Sequence, residues 1–306
     1  MAEHEMYFAS EAQLRQYKAR KIITQVLLYG FLTLIGLFII IPFYYMIITS
    51  LKSTTAYDNE QIRGELVFWL NQTNVSVEQY AKVLSKGGDF GYFYLNTVIV
   101  AVASTAFTIV TTIFASFAFA RVDFKGKNFI FMILMATMMV PGEMMILTNY
   151  QTALSFGWKN TYAALILVHG VSVFYIFYLR QTFQQIPNEL FLAAKVDGYG
   201  HFSYLLKVMI PIASPTIVSI IILSLMGAWN AYVWPQLIAS GKNPRFGNSM
   251  LLVSNGLMAK FQSSEFSSDD PAKITGSMFA TVPLFIFFLI FRKYIMRGVS
   301  RSGIKG

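Results

Sequence analysis

Four places in this sequence carry side chains whose type and spacing could do chemistry. Trp229-Asn230-Ala231-Tyr232 sets an amide among aromatic rings in an otherwise apolar segment. An amide both donates and accepts hydrogen bonds, and aromatic faces stack on the apolar face of a pyranose, so the cluster suits a sugar. The other reading is an aromatic belt at a membrane interface, which Trp234 fits better than Trp229. Glu143 follows Pro141-Gly142 inside an apolar run. A carboxylate there faces a cavity or a partner, unless it simply reaches the outer interface. His169, beside Gly170, has no other His or partnered carboxylate near it in sequence, which favours packing over proton relay. The fourth place is the moderately polar stretch from Pro187 to Pro215. Asn188 is placed to cap a short helix after Pro187, Gly198 and Gly200 to end it, and a second helix can run from near His201 into the apolar segment at Pro211.

Equally informative is the chemistry that the sequence lacks. It has no glycine-rich phosphate loop ending in Gly-Lys-Ser/Thr, no His-Glu-x-x-His and no Gly-x-Ser-x-Gly turn, so neither ATP hydrolysis nor an intramembrane hydrolase is expected of it. With no cysteine, thiolate metal sites and disulfides are excluded, and no cofactor or metal is expected.

The elements that must position these residues are membrane spans. Of 306 residues 55% are hydrophobic and only 13% charged, too apolar a balance for a soluble domain of this length. The net charge of +9 sits at the ends of apolar runs, as the positive-inside rule requires, and does not indicate nucleic acid. Apolar runs place spans at about 22–49, 97–120, 128 onward, 161–179, 211–237 and 274–290, with polar outer loops at 50–96, 157–160 and 239–273. The first span reads as retained rather than as a cleaved signal peptide. In the second, Ser104, Thr108, Thr112, Ser116 and Ala120 recur every four residues, a stripe that packs helices closely or lines a path. On a straight third span Glu143 would lie about 22 Å across from Asn128. The expectation is one transmembrane domain over 1–306. It comprises a cytoplasmic segment 1–21, a six-helix region 22–298 with a cytoplasmic loop at about 187–211, and a basic tail 299–306.

The stretch from Glu189 to Pro211 resembles the cytoplasmic "EAA" loop of the transmembrane subunits of ABC importers, above all the maltose-type carbohydrate permeases. That pattern is Glu-Ala-Ala, three residues, Gly, nine residues, an aliphatic, one residue, an aliphatic and Pro. Ala193, Ala194, Gly198, Val208, Ile210 and Pro211 fall at those spacings, with Asp197 before the glycine and Glu189-Leu190 upstream. Leu192 departs, standing where the family has its glutamate. Leu51-Lys52, Asn96-Thr97, Trp229-Asn230 and the ending from Gly298 to Gly306 resemble further family features. After Glu143 only Tyr150 is kept of the family's Ile-Pro-Leu-Tyr.

The resemblance implies an all-α polytopic membrane protein with six transmembrane helices and the type I ABC importer permease architecture. Its function would be that of a permease subunit, not an enzyme, in an ATP-driven carbohydrate importer of a bacterial inner membrane. Both termini would be cytoplasmic. Glu189, Leu190, Phe191, Leu192, Ala193, Ala194, Asp197, Gly198 and Pro211 would dock an ATPase, while Glu143, Trp229, Asn230 and Tyr232 would line half of the path. Its partners would be a second permease in a heterodimer, two ATP-binding subunits, an extracytoplasmic sugar-binding protein and membrane lipid. The alternative, a secondary transporter or channel, needs paired intramembrane charges or repeated broken-helix segments, and Glu143 alone supplies neither.

Overall fold

The computed structural model describes residues 11–86, 90–261 and 270–300. The first ten residues of the amino-terminal segment and residues 301–306 of the basic tail lie outside this set, as does part of the last outer loop. The chain divides into two compact units, up to Tyr80 and from Ala81 onward. Among the described residues there are helices and two isolated bridges, but no sheet.

The first unit opens with α1 (Glu11–Ser50), whose most apolar stretch buries no side chain within the protein. A helical stretch apolar all round that buries no side chain is suited to lipid or to other protein subunits. The polar stretch after it is ordered, not slack. Ser53 caps α2 (Thr54–Arg63) by accepting from the Ala56 N–H, and Gly64 ends it in the left-handed region at φ +68°. Lys52 is fully buried, and its ammonium donates to Glu60 at 2.6 Å and to the Val67 carbonyl at 2.7 Å. Those two partners offset the several kcal/mol that desolvating such a charge costs. The chain then enters α3 (Glu78–Lys86), where the Glu78 carboxylate accepts from the Thr54 N–H at 2.7 Å.

The second unit is built around α4 (Phe90–Arg121), which begins seven residues before the expected span. The small-residue stripe is its packing face. Thr108, Thr112 and Ser116 are buried, and the Ser116 hydroxyl donates to the Ile176 carbonyl at 2.9 Å. Next comes α5 (Lys127–Thr137), then a 3-10 turn (Gly142–Met145) leading into α6 (Ile146–Ser155) at 88° to α5. Pro141 lacks an N–H and Gly142 lacks a side chain, so the third span is bent where it was expected to be straight. The estimate of Glu143 as about 22 Å across is corrected by that bend.

The fourth span is interrupted, as α7 (Tyr162–Leu167) and α8 (Val173–Gln184). A Cβ on Gly170 would lie 2.1 Å from the Phe107 ring, so the backbone passes α4 at a distance only glycine allows. Side chains replace the lost helical bonds: Thr111 donates to the Gly170 carbonyl at 3.1 Å, and Ser172 caps α8. Beyond come α9 (Asn188–Val196), α10 (His201–Tyr204), a π-helical segment (Leu205–Met209) and α11 (Ile210–Trp229). Expected to reach residue 237, the fifth span instead stops at Trp229 and resumes as α12 (Val233–Ile238). Pro235 cannot donate to the Ala231 carbonyl, which takes the Ser254 hydroxyl at 2.7 Å instead. The described elements end with α13 (Val253–Phe261) and α14 (Asp270–Ser300). Among the described residues four helices are thus long and apolar enough to span, the third span is bent and the fourth broken, which makes the six-helix count approximate.

Against α4 pack α8 and α11, and α11 also meets α14. Two arginines knit the first pair from opposite sides. Arg121 at the end of α4 donates to the Phe183 carbonyl at 3.0 Å and to the Ile186 carbonyl, adding a charged donor to the end of α8 beyond the backbone bonds already there. Arg180 on α8 donates to the Phe119 carbonyl at 3.2 Å and lies 4.0 Å over the Phe131 ring.

Candidate functional site

Two sites can be built on this frame, a cavity and a loop. The cavity, of about 520 Å³, lies within the second unit, where all three helix interruptions meet. Gly142 and Glu143 come from the bend, His169 and Ser172 from the break between α7 and α8, and Ala231 and Tyr232 from the break after α11. Irregular backbone at membrane depth is tolerated where it lines a cavity, and here each break does. Ser104 and Thr108 from α4, Tyr175 from α8 and Ser224 from α11 add hydroxyls to the wall. The stripe on α4 therefore faces the cavity at one end and packs against α8 at the other.

Of the four residues expected on a path, Glu143 and Tyr232 line the cavity and both are exposed. Trp229 and Asn230 are not among the lining residues. The Trp229 indole donates to the Ala280 carbonyl at 3.1 Å and meets Tyr94 edge-on, while the Asn230 amide donates to the Met226 carbonyl at 3.0 Å and closes the end of its own helix. His169 packs edge-on against Trp234, with ring centroids 5.2 Å apart. The Trp234 indole in turn donates to the Ala164 carbonyl at 3.0 Å, so the ring expected in an interface belt is a buried part of the cavity wall. Sequence reasoning missed Ser172, Tyr175, Ser224 and Trp234. Gly170 and Pro235 were the available signals, since each marks where the wall had to open.

The loop from Pro187 to Pro211 follows the expected helix, glycine turn and helix, with one adjustment at its start. Asn188 is the first helical residue of α9 rather than its cap, a position that Pro187 takes. At the other end the Gly198 N–H donates to the Lys195 carbonyl at 3.0 Å and the Tyr199 N–H to the Ala194 carbonyl at 2.8 Å. This Schellman closure places Gly198 in the left-handed region at φ +78°.

Periodicity then divides α9 into two faces. Phe191 and Ala194 turn inward: Phe191 packs on Tyr204 at 5.0 Å between centroids and beneath Lys195, and Ala194 joins the core with Phe183 and Met209. Outward lie Glu189, Leu190, Leu192, Ala193 and Asp197, all exposed, with Pro211 exposed at the start of α11. Leu192 is 54% exposed and Val196, one turn on, 88%. Val196 was not singled out in the sequence, although its spacing from Leu192 puts both on one side. Phe191 holds the loop together and is not part of the outer surface.

Comparison with known proteins places this arrangement. The arabinooligosaccharides transport system permease protein AraQ of Halalkalibacterium halodurans is 25% identical over 289 residues, covering 94% of this chain and 99% of that protein. The lactose transport system permease protein LacG of Rhizobium radiobacter is 26% identical over 283 residues, 92% of this chain and 97% of its own. Among solved structures, a chain of a bacterial ABC transporter involved in the import of the acidic polysaccharide alginate shares the fold. Its TM-score is 0.73 at 20% identity, over 94% of this chain and 99% of that one. The profile of the family described as "binding-protein-dependent transport system inner membrane component" matches residues 109–302. Members work with a second permease, ATPase subunits that hydrolyse the nucleotide, and a substrate-binding protein. This chain belongs to that family, and is a multi-pass membrane subunit of an ATP-driven importer.

Proposed function

We propose that this permease passes carbohydrates, and that the cavity at the three helix breaks is its half of the path. The carrying observation is the wall itself. Four hydroxyl-bearing residues, Ser104, Thr108, Ser224 and Tyr232, line a space of about 520 Å³ beside the Trp234 ring. Such a volume suits a small ligand, and hydroxyls with an aromatic face suit a sugar. The relatives named for arabinooligosaccharides and lactose support the same substrate class.

In this reading the outer face of α9, with Glu189, Leu190, Leu192, Ala193, Val196 and Asp197, docks an ATP-binding subunit, and Gly198 and Pro211 set the angle at which the loop joins α11. The loop and both termini lie in the cytoplasm of a bacterial cell. The complex holds a different second permease, two ATP-binding subunits and an extracytoplasmic sugar-binding protein, with residues 1–306 acting as one permease domain. Shifting such an assembly from one packing to the other takes roughly 5.5 kcal/mol of differential stabilisation. Burying Leu190, Leu192 and Val196 under an ATPase contributes about 1.5 to 3 kcal/mol each to holding the joint.

Uptake of labelled lactose and arabinooligosaccharides by the reconstituted complex tests the substrate class. Tyr232→Ala should weaken apparent affinity roughly 2- to 10-fold while leaving the ATPases bound. Uptake of amino acids or peptides, but of no sugar, overturns the reading.

A further inference from the structure

Charge in the cavity wall is one-sided. Among the described residues that line it, Glu143 is the one carboxylate, and neither lysine nor arginine is present. The other hydrogen-bonding side chains there are hydroxyls, the His169 imidazole and the Trp234 indole, whose N–H is already given to the Ala164 carbonyl. An opposing influence comes from the amino end of α8, which opens beside Ser172. A helix end is worth about half a charge and falls off within a turn. Here Ser172 already accepts from the Tyr175 N–H at 3.4 Å, so the full charge of Glu143 dominates.

We infer that the cavity selects its sugars by charge, admitting neutral and amino sugars and turning away uronates and sugar phosphates, with Glu143 as the discriminating residue. The inference rests on the reading of this cavity as a carbohydrate path and adds a substrate class to it. The physical basis is that like charges in a partly enclosed, low-dielectric space repel far more than in water, whereas a carboxylate accepts hydrogen bonds from hydroxyl and ammonium groups. An anion entering would need a cation in the wall to compensate, and the described residues of this subunit supply none there.

The test uses the complete transporter, with its second permease and ATPases, in nanodiscs and without the binding protein, whose own selectivity would mask the effect. Three β-1,4-linked disaccharides of one skeleton are titrated at about pH 8, where imidazoles carry little charge: cellobiose, its uronic acid analogue and the glucosamine dimer. Lactose and arabinotriose serve as further neutral probes. Wild type should bind the uronate about tenfold more weakly than the neutral sugars, a gap of roughly 1.4 kcal/mol, and the gap should shrink with added salt. Glu143→Gln should close most of that gap between neutral and anionic sugars, and Glu143→Lys should reverse the order. A gap unchanged in both variants, or equal binding of neutral and anionic sugars by wild type, overturns the charge inference and leaves the path reading standing. Binding of no sugar by any form overturns the path reading instead. Thermal unfolding of each variant separates a folding defect from a change in selectivity.

Discussion

The loop at 187–211 and the cavity are built in opposite ways. The loop takes its shape from near neighbours: the Gly198 and Tyr199 N–H groups close α9, and Phe191 packs on Tyr204 within the same stretch. The cavity draws its lining from positions as far apart as Val100 and Pro235, and exists because three helices break at one level. A self-contained turn can move as a body against a partner without disturbing what lies beyond it. A cavity framed by several helices changes shape only when those helices move, so the proposed mechanism requires a firm link between the two. Arg121 is one such link, reaching from the end of α4 to the last carbonyls before Pro187.

Breaking that link should have the largest effect. Arg121→Ala leaves the Phe183 and Ile186 carbonyls without their charged donor and should destabilise the second unit by about 1.5 to 3 kcal/mol, read from denaturant unfolding in detergent. Unfolding at the wild-type midpoint would mean that the loop root does not depend on α4.

A smaller and more local effect is expected within the loop. Gly198→Val meets nothing within 4 Å of its first side-chain atom, so its penalty is backbone strain alone, about 1 to 2 kcal/mol at φ +78°. ATPase co-purification should fall while the bundle melts within about 0.5 kcal/mol of wild type. Loss of bundle stability by several times that amount would show that the loop is not self-contained.

The smallest effect is expected at Asn230, whose amide bonds its own helix. Asn230→Ala should lower transport of all sugars alike, in step with the amount of protein in the membrane, at a stability cost of about 0.5 kcal/mol. A changed ranking among sugars would put Asn230 on the path and extend the cavity past Tyr232.

Sequence by itself determined whatever depends on local chemistry. Apolar runs flanked by Arg and Lys specify spans, because a backbone in lipid must bond to itself. Pro187 and Gly198 specify a helix that ends in a left-handed turn, because φ > 0 at Gly198 excludes most other residues. The spacing of Ala194 from Leu192 and Val196 already contained the two faces of α9, while the packing of Phe191 on Tyr204 had no signal in the sequence. Tertiary structure decided which interruptions meet. Pro141, Gly170 and Pro235 each mark a weakness in a helix, but a proline or glycine can equally sit in an unbroken span, as Pro42 does in α1. What breaks the fourth span at Gly170 is the Phe107 ring from another helix, and what supports the break after Trp229 is the Ser254 hydroxyl from beyond α12. Neither partner is near in sequence. For the same reason Trp229 and Asn230, a sugar-suited pair by type, were drawn into helix ends and packing, and the facing of Glu143 and Tyr232 onto one space was decided only when the helices came together.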